Sequence, residues 1–270
     1  MKKKSTLFLV VILILGLALL LYPSLSNLWN SFHQSKAIAG YIETVSNMDD
    51  EEYEKVLKSA AEYNKNIKRT SIWSLSDSEK KIYNEQLNIS GNGIMGYIEI
   101  PTINCALPIY HGTSDSVLQV ATGHIEGSSL PVGGEGSHCV ISGHRGLPSA
   151  KLFTNLDELI EGDLFHLCIL DEIYSYEVDQ IRIVDPEDVT ELRIEQGKDL
   201  CTLVTCTPYG VNSHRLLVRG HRVENISYSA LKVSADATQI NDLIVSVAVS
   251  VPILFVCFVW ILIRHRRRKA

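Results

Sequence analysis

The common metal-ligand spacings are missing: the 270 residues hold no Cys-x-x-Cys pair and no His-rich pair, so no metal site is expected. Internal repeats are absent as well. Basic residues are scarce between the two ends. Segment 23–242 holds seventeen Lys and Arg against thirty-one Asp and Glu, a net charge of −14. A nucleic-acid surface wants a basic face, so that role is excluded. The six cysteines lack the dense, regular spacing of a disulfide framework, and Cys257 lies within an apolar run. Cys201 and Cys206 are an odd number apart on one predicted strand, so they face opposite sides. Cys139 is likewise out of phase with His144. Cys105, Cys139, Cys168 and Cys201 therefore read as small buried apolar residues.

Charge is also missing from two long stretches. After Met1-Lys2-Lys3-Lys4-Ser5, the run from Thr6 to Tyr22 carries none, which fits a short transmembrane helix or a signal peptide. No Ala-x-Ala-like cleavage site follows, although Ser24-Leu25-Ser26 is a possible cut; an uncleaved anchor is the preferred reading. Leu243 to Ile263 is charge-free and long enough to span a bilayer, and Pro252 is tolerated better there than in a soluble helix. The Arg264-His265-Arg266-Arg267-Arg268-Lys269 tail then marks the cytoplasmic side, as Lys2 to Lys4 do at the other end. Eight of the twenty-five Lys and Arg sit in these tails, with no Asp or Glu beside them. The expected topology is two spans, both termini cytoplasmic and the middle of the chain outside.

What is present divides in two. Asn27 to Asn66 has helical periodicity, with Ile38, Ile42 and Val45 on one face and Tyr53, Val56, Leu57 and Ala60 on another. Asn47, Asp49 or Asp50 is positioned to cap the second helix. Lys65 to Arg69 is a basic break before an irregular Ser-rich piece, Thr70 to Ser78. From Gly93 short β-branched runs alternate with turn residues: 95–100, 106–109, 137–141, 164–170, 173–184, 200–206 and 215–223. Seven such strands predict a closed or sandwich-like all-β domain, with short helices or turns at 114–118 and 149–156. The Gly127–Gly136 loop either shapes a groove or is a tight connection. His124, His138 and His221 read as structural.

Chemistry concentrates in two segments. Thr202 to Gly210 reads TLVTCTPYG and is followed by His214-Arg215; upstream stands Ser142-Gly143-His144-Arg145-Gly146. A thiol attacks only as thiolate, so a working Cys needs a neighbour that lowers its pKa or takes its proton. An oxyanion formed in acyl transfer needs a fixed cation or donor. Cys206, His144 and Arg215 supply these parts. Taken singly, each has an ordinary structural explanation: packing, a turn residue, a solvated face. Strand alternation does not separate Arg215 from Arg219, since both share a face.

These segments resemble the sortase family, and the likeness runs from Gly93 to Val223. Gly93 to Ile98, Leu107 to Thr113 and Gly127 to Gly134 are similar to class C, the pilus-assembling sortases, as are Ser142 to Thr154 and Thr202 to Gly220. The resemblance implies an eight-stranded β-barrel, to which the periodicity and the apolar runs add an N-terminal helical appendage and two flanking transmembrane helices. The expected division is 1–22 anchor, 23–92 appendage and linker, 93–224 catalytic barrel, 225–242 juxtamembrane linker, 243–263 second span and 264–270 cytoplasmic tail. It also implies a cysteine transpeptidase without a cofactor. Cys206 would attack an LPxTG-like sorting motif of a secreted pilin or surface protein, His144 would protonate the leaving amine, and Arg215 would hold the oxyanion. The implied acceptor is a lysine amine of another pilin subunit.

Two other readings stay open: anchoring to a peptidoglycan precursor, and a non-catalytic tethered module that binds sorting signals. The chain departs from the class C pattern in one place. No Asp-Pro-aromatic lid lies between Lys65 and Gly93, and the nearest equivalent is Ser71-Ile72-Trp73 with Asp77 beyond. Trp73 either covers Cys206 or packs the linker onto the barrel, and a carboxylate to pair Arg215 is missing there.

Overall fold

The computed structural model describes residues 2–67 and 75–225, together with Pro252, Ile253 and Trp260. Helix α1, Lys2–Ser46, carries the apolar run without a break into the polar segment beyond it, with Pro23 inside. The boundary expected at Pro23 is therefore not a break in structure. Proline costs one backbone bond there, which a long apolar helix can absorb. Among the described residues, α1 is the one helix long and apolar enough to cross a membrane. The second expected span, Leu243–Ile263, lies outside the described residues apart from Pro252, Ile253 and Trp260.

Helix α2 spans Asp50–Asn66, and of the candidate caps it is Asp49 that accepts the Glu52 N–H, at 2.7 Å. A third helix, α3 (Asp77–Glu85), begins within the stretch expected to be irregular, Thr70–Ser78, and corrects it at Asp77 and Ser78. Ser76 and Glu79 form a capping box at its start. The signature was visible as Ser-x-x-Glu, but only Ile82 and Tyr83 follow it as large apolar residues, too few to show a period. Tyr83 is fully buried and bonds His124 Nδ1 at 2.9 Å, which pins α3 to the barrel.

Eight strands close the barrel: β1 Ile94–Ile100, β2 Cys105–His111, β3 Thr122–His124, β4 Ser137–Ser142, β5 Leu164–Ile169, β6 Glu172–Val184, β7 Asp199–Thr207 and β8 His214–Arg222. The order around it is β1-β2-β3-β4-β7-β8-β6-β5. Two pairs are parallel, β2 with β3 and β4 with β7. The short helix α4, Asp115–Leu118, precedes β3, the strand not expected from sequence because three residues, Thr-Gly-His, show no alternation. Inside, Met95, Ile98, Ile100, Ile109, Phe153, Phe165, Leu167, Val218 and Leu203 form one buried cluster.

The Gly127–Gly136 loop packs against the barrel as a connection, and Gly127 at its start also lines a pocket with Tyr63, Leu75 and Ile82. The loop runs along β4 toward Ser137, Ser128 Oγ accepting the Val140 N–H at 3.2 Å and Ser129 N–H donating to the His138 carbonyl at 3.0 Å. Asn64 of α2 clamps Leu130 from both sides, accepting its N–H at 2.7 Å and donating to its carbonyl at 3.1 Å.

Burial also sets an acid limit on stability. It holds the imidazoles of His111, His138 and His166 below the ordinary histidine range. Unfolding restores the ordinary value of about 6.5, so below that pH the unfolded chain binds more protons than the folded one. This contribution is present above pH ~6.5 and lost as pH falls toward the folded values. The melting temperature followed by circular dichroism should fall steadily from pH 7.5 to 5.0. A flat profile would contradict the neutral, buried state of these rings.

Candidate active site

Strands β4, β7 and β8 lie side by side and present one shared outer face built in three tiers. On β7 the alternate residues Thr202, Val204 and Cys206 point to that face, while Cys201 and Leu203 point to the barrel core. The lowest tier is polar. His138 Nε2 bonds Thr202 Oγ1 at 2.7 Å, and Arg219 stands opposite Thr202. Arg219 pairs with both oxygens of Asp179, at 2.9 and 3.1 Å, and with Glu195 at 3.1 Å. The middle tier is apolar: Val140, Val204 and Leu217 are buried together, with Ile125, Val184 and Leu192 packed against them.

The top tier holds the candidate nucleophile. Cys206 pairs directly with Arg215 across β7 and β8. Opposed residues on one face bring their Cβ atoms within about 5 Å. β4 and β7 pair without a slip from Ser137↔Asp199 to Ser142↔Val204. Beyond β4 the Gly143 N–H donates to the Val204 carbonyl at 3.0 Å, so the turn that carries His144 starts beside the Cys206 end of β7. The thiol thus stands opposite the strand position of Arg215, at the end of β7 beside which the His144 turn begins.

The tiers separate the two arginines that alternation left equivalent. Arg219 is held by two carboxylates two tiers below the thiol. Arg215 bonds only the carbonyls of Asn212 and His214, at 3.3 and 3.1 Å, and among the described residues no carboxylate lies at ion-pair distance. Trp73 lies outside the described residues.

The turn carrying His144 is fixed by residues the sequence reading passed over. Gly143 N–H donates to the Val204 carbonyl at 3.0 Å, and Phe153 N–H to the His144 carbonyl at 3.1 Å. Thr205 Oγ1 donates to the Gly143 carbonyl at 2.8 Å. A Cβ on Gly143 would lie 2.6 Å from the Phe153 ring, so only glycine lets the turn pack this closely. Thr205 is buried, and alternation alone marks it as an inward polar side chain in need of a partner. Thr205→Val removes the donor while keeping the shape. The expected result is a fall in kcat of about 10- to 100-fold from a misplaced imidazole, with KM little changed and rescue by Thr205→Ser. Full kcat in the valine variant would show that the bond does not position His144.

Other thiols are poorly placed for chemistry. Burial pushes Cys105 and Cys168 up to about 12, and Cys139 and Cys201 are fully enclosed. His124 and His138 are buried and bonded within the fold, as expected, while exposed His221 lies 4.0 Å from Asp179. His214, beside Arg215, lies one step out of phase with the site; it bonds Ser213 and faces Asp185 at 3.5 Å.

Residues 98–223 match the family model for the sortase domain. The fold also matches a crystal structure of sortase C1 from Streptococcus agalactiae at 55% identity and TM-score 0.69, covering 71% of this chain and all of that one. The chain belongs to the sortase family. Sortases are cysteine transpeptidases, and solved class C members recur among its neighbours. Sortase C from Streptococcus pneumoniae matches at 43% identity and TM-score 0.63, over 70% of this chain and 97% of that structure. Among curated sortases, Sortase D from Bacillus subtilis is 34% identical over 131 residues, which is 47% of this chain and 63% of that protein. The matched region contains the whole three-tiered face. In this sortase the eight-stranded barrel is therefore the family's fold, carrying α1 to α3 ahead of it.

Proposed function

We propose that the chain is a membrane-anchored transpeptidase in which Cys206 is the nucleophile, His144 handles the proton and Arg215 holds the oxyanion. What carries this reading is the top tier itself: a partly exposed thiol, the His144 turn leaving β4 beside its strand, and a guanidinium opposite it with no carboxylate partner among the described residues. Cys206 Sγ attacks a backbone carbonyl carbon of an LPxTG-like sorting motif. Negative charge gathers on the carbonyl oxygen, where the Arg215 fork donates hydrogen bonds. As the C–N bond breaks, His144 passes a proton to the departing amine. A lysine amine of a second pilin subunit then attacks the thioester. The C–S bond breaks, the thiolate returns, and the amine's proton goes to His144.

Class C membership of the structural neighbours favours a pilin acceptor, and the work on the Streptococcus pneumoniae enzyme concerns pilin substrate specificity in that protein. In this reading α1 anchors the chain, 23–92 and the barrel at 93–224 lie outside the cell, and Leu243–Ile263 forms a second span before a cytoplasmic tail at 264–270.

The test is to incubate the full chain in lipid nanodiscs with two purified proteins, one bearing a sorting motif and one bearing candidate lysines. Mass spectrometry of the product should find an isopeptide between the motif threonine and a lysine Nζ. A product carried instead on the amine of a peptidoglycan precursor would favour cell-wall anchoring. Binding with no covalent product would favour a recognition module.

A further inference from the structure

Helix α1 fixes which end of the barrel points at its own anchor. Cys206, the end of β4 and the start of β8 define one rim, and the β5–β6 hairpin at Leu170 and Asp171 defines the other. Along α1 the contacts run from the first rim to the second. Asn27 Oδ1 accepts the Lys151 N–H at 2.8 Å, and Asn30 Nδ2 donates to the Ser149 carbonyl at 2.8 Å. Both partners lie in the loop that leaves His144. Gln34 then donates to the Val120 carbonyl at 2.7 Å. Tyr41 donates to the Met95 carbonyl at 3.0 Å and accepts the Leu170 N–H at 2.7 Å, at the remote rim.

At 1.5 Å of rise per residue, Asn27 to Tyr41 covers about 21 Å, and Tyr22 to Asn27 only about 7.5 Å. A kink at Pro23 acts over so short an arm that it barely alters the height of Asn27. The apolar part of α1 therefore leaves the barrel from the catalytic rim. A second observation sets the level of the lipid surface. Trp29 and Phe32 are 67% and 66% exposed on α1, at the same height as Asn27 and Asn30, and aromatic side chains collect at membrane–water interfaces.

We infer that the catalytic rim faces the lipid bilayer, with Tyr209 and Val211 of the β7–β8 loop against the headgroup layer. These two are 61% and 70% exposed, and Tyr209 lies over Gly146 and beneath the Arg145 guanidinium, in the same loop cluster that Asn27 and Asn30 hold. Asp185, Glu187 and Asp188 stand beside this rim, so the contact rests on the tether and on apolar side chains rather than on attraction to anionic lipid. The inference builds on the membrane anchoring proposed above and adds which rim of the barrel the anchor brings to the lipid.

Depth-dependent fluorescence quenching tests the orientation without relying on activity. The full chain, carrying Cys206→Ala and Cys257→Ala, is labelled singly at Val211→Cys, Asp171→Cys or Ile12→Cys and placed in zwitterionic nanodiscs. Nitroxides on the lipid headgroup should quench the label at 211 at least threefold more than the label at 171, and acyl-chain nitroxides should quench the label at 12. A label at Ser213→Cys reports the same rim if the Val211 variant does not fold. Equal quenching at 211 and 171, or more at 171, overturns the orientation while leaving the transpeptidase reading intact. An unquenched label at 12 removes the anchor and the inference with it.

Discussion

Cys206→Ala should lower kcat/KM for transpeptidation by at least about 10⁴-fold, because removal of the nucleophile from a covalent mechanism leaves only binding and oxyanion stabilisation. The fold should hardly notice. Cys206 is half exposed at the end of β7 and belongs to neither buried cluster, so the melting temperature should stay within about 2 °C of the parent. The four other barrel cysteines give the opposite pattern. Cys139 and Cys201 face each other on β4 and β7, both enclosed in the core. Replacing either by alanine should cost about 1–3 kcal/mol of stability and leave activity per folded molecule unchanged. Steady-state rates and thermal melts on all five variants check this. A Cys139 or Cys201 variant that folds but loses turnover would move the chemistry away from Cys206.

Arg215 and Arg219 should separate just as cleanly. Arg215→Ala removes the cation paired across from the thiol and is expected to lower kcat about 10²- to 10³-fold, the scale of losing an oxyanion donor. Arg215→Lys keeps the charge but loses the planar fork, so it should still cost at least about tenfold. Arg219 is bound to Asp179 and Glu195 and stands two tiers away from the thiol. Arg219→Ala should therefore lower stability by about 1–3 kcal/mol through two carboxylates left without their partner, with kcat of the folded fraction retained. The reverse ranking would place the oxyanion site beside Arg219 and undo the tiered description of the face.

Much of this was legible in the sequence, and the parts that were not have physical reasons. Seven strands showed as β-branched runs because each is long enough for alternation or continuous burial to register. β3, with three residues, was too short for either. α3 carried a capping signature but little apolar periodicity, since only Tyr83 is buried. Alternation put Cys201 and Cys206 on opposite faces, and that is how they lie. The same alternation was blind to Arg215 against Arg219, because a choice between same-face residues depends on Asp179 and Glu195, which come from other strands and loops. Thr205 was invisible as a positioning residue for the same reason: its acceptor, the Gly143 carbonyl, is distant in sequence. The Gly127–Gly136 loop was open to two readings because its glycines say that the chain turns, not where it goes.

The most direct measurement is the intact mass of the full chain after brief exposure to a peptide containing an LPxTG-like motif, with the acceptor amine left out. The expected result is a hydroxylamine-sensitive adduct equal to the peptide up to its threonine, mapped by fragmentation to Cys206 and absent from Cys206→Ala. An adduct on another cysteine, or equal adduct formation in the Cys206→Ala chain, would contradict the assignment of Cys206 as the acylated nucleophile.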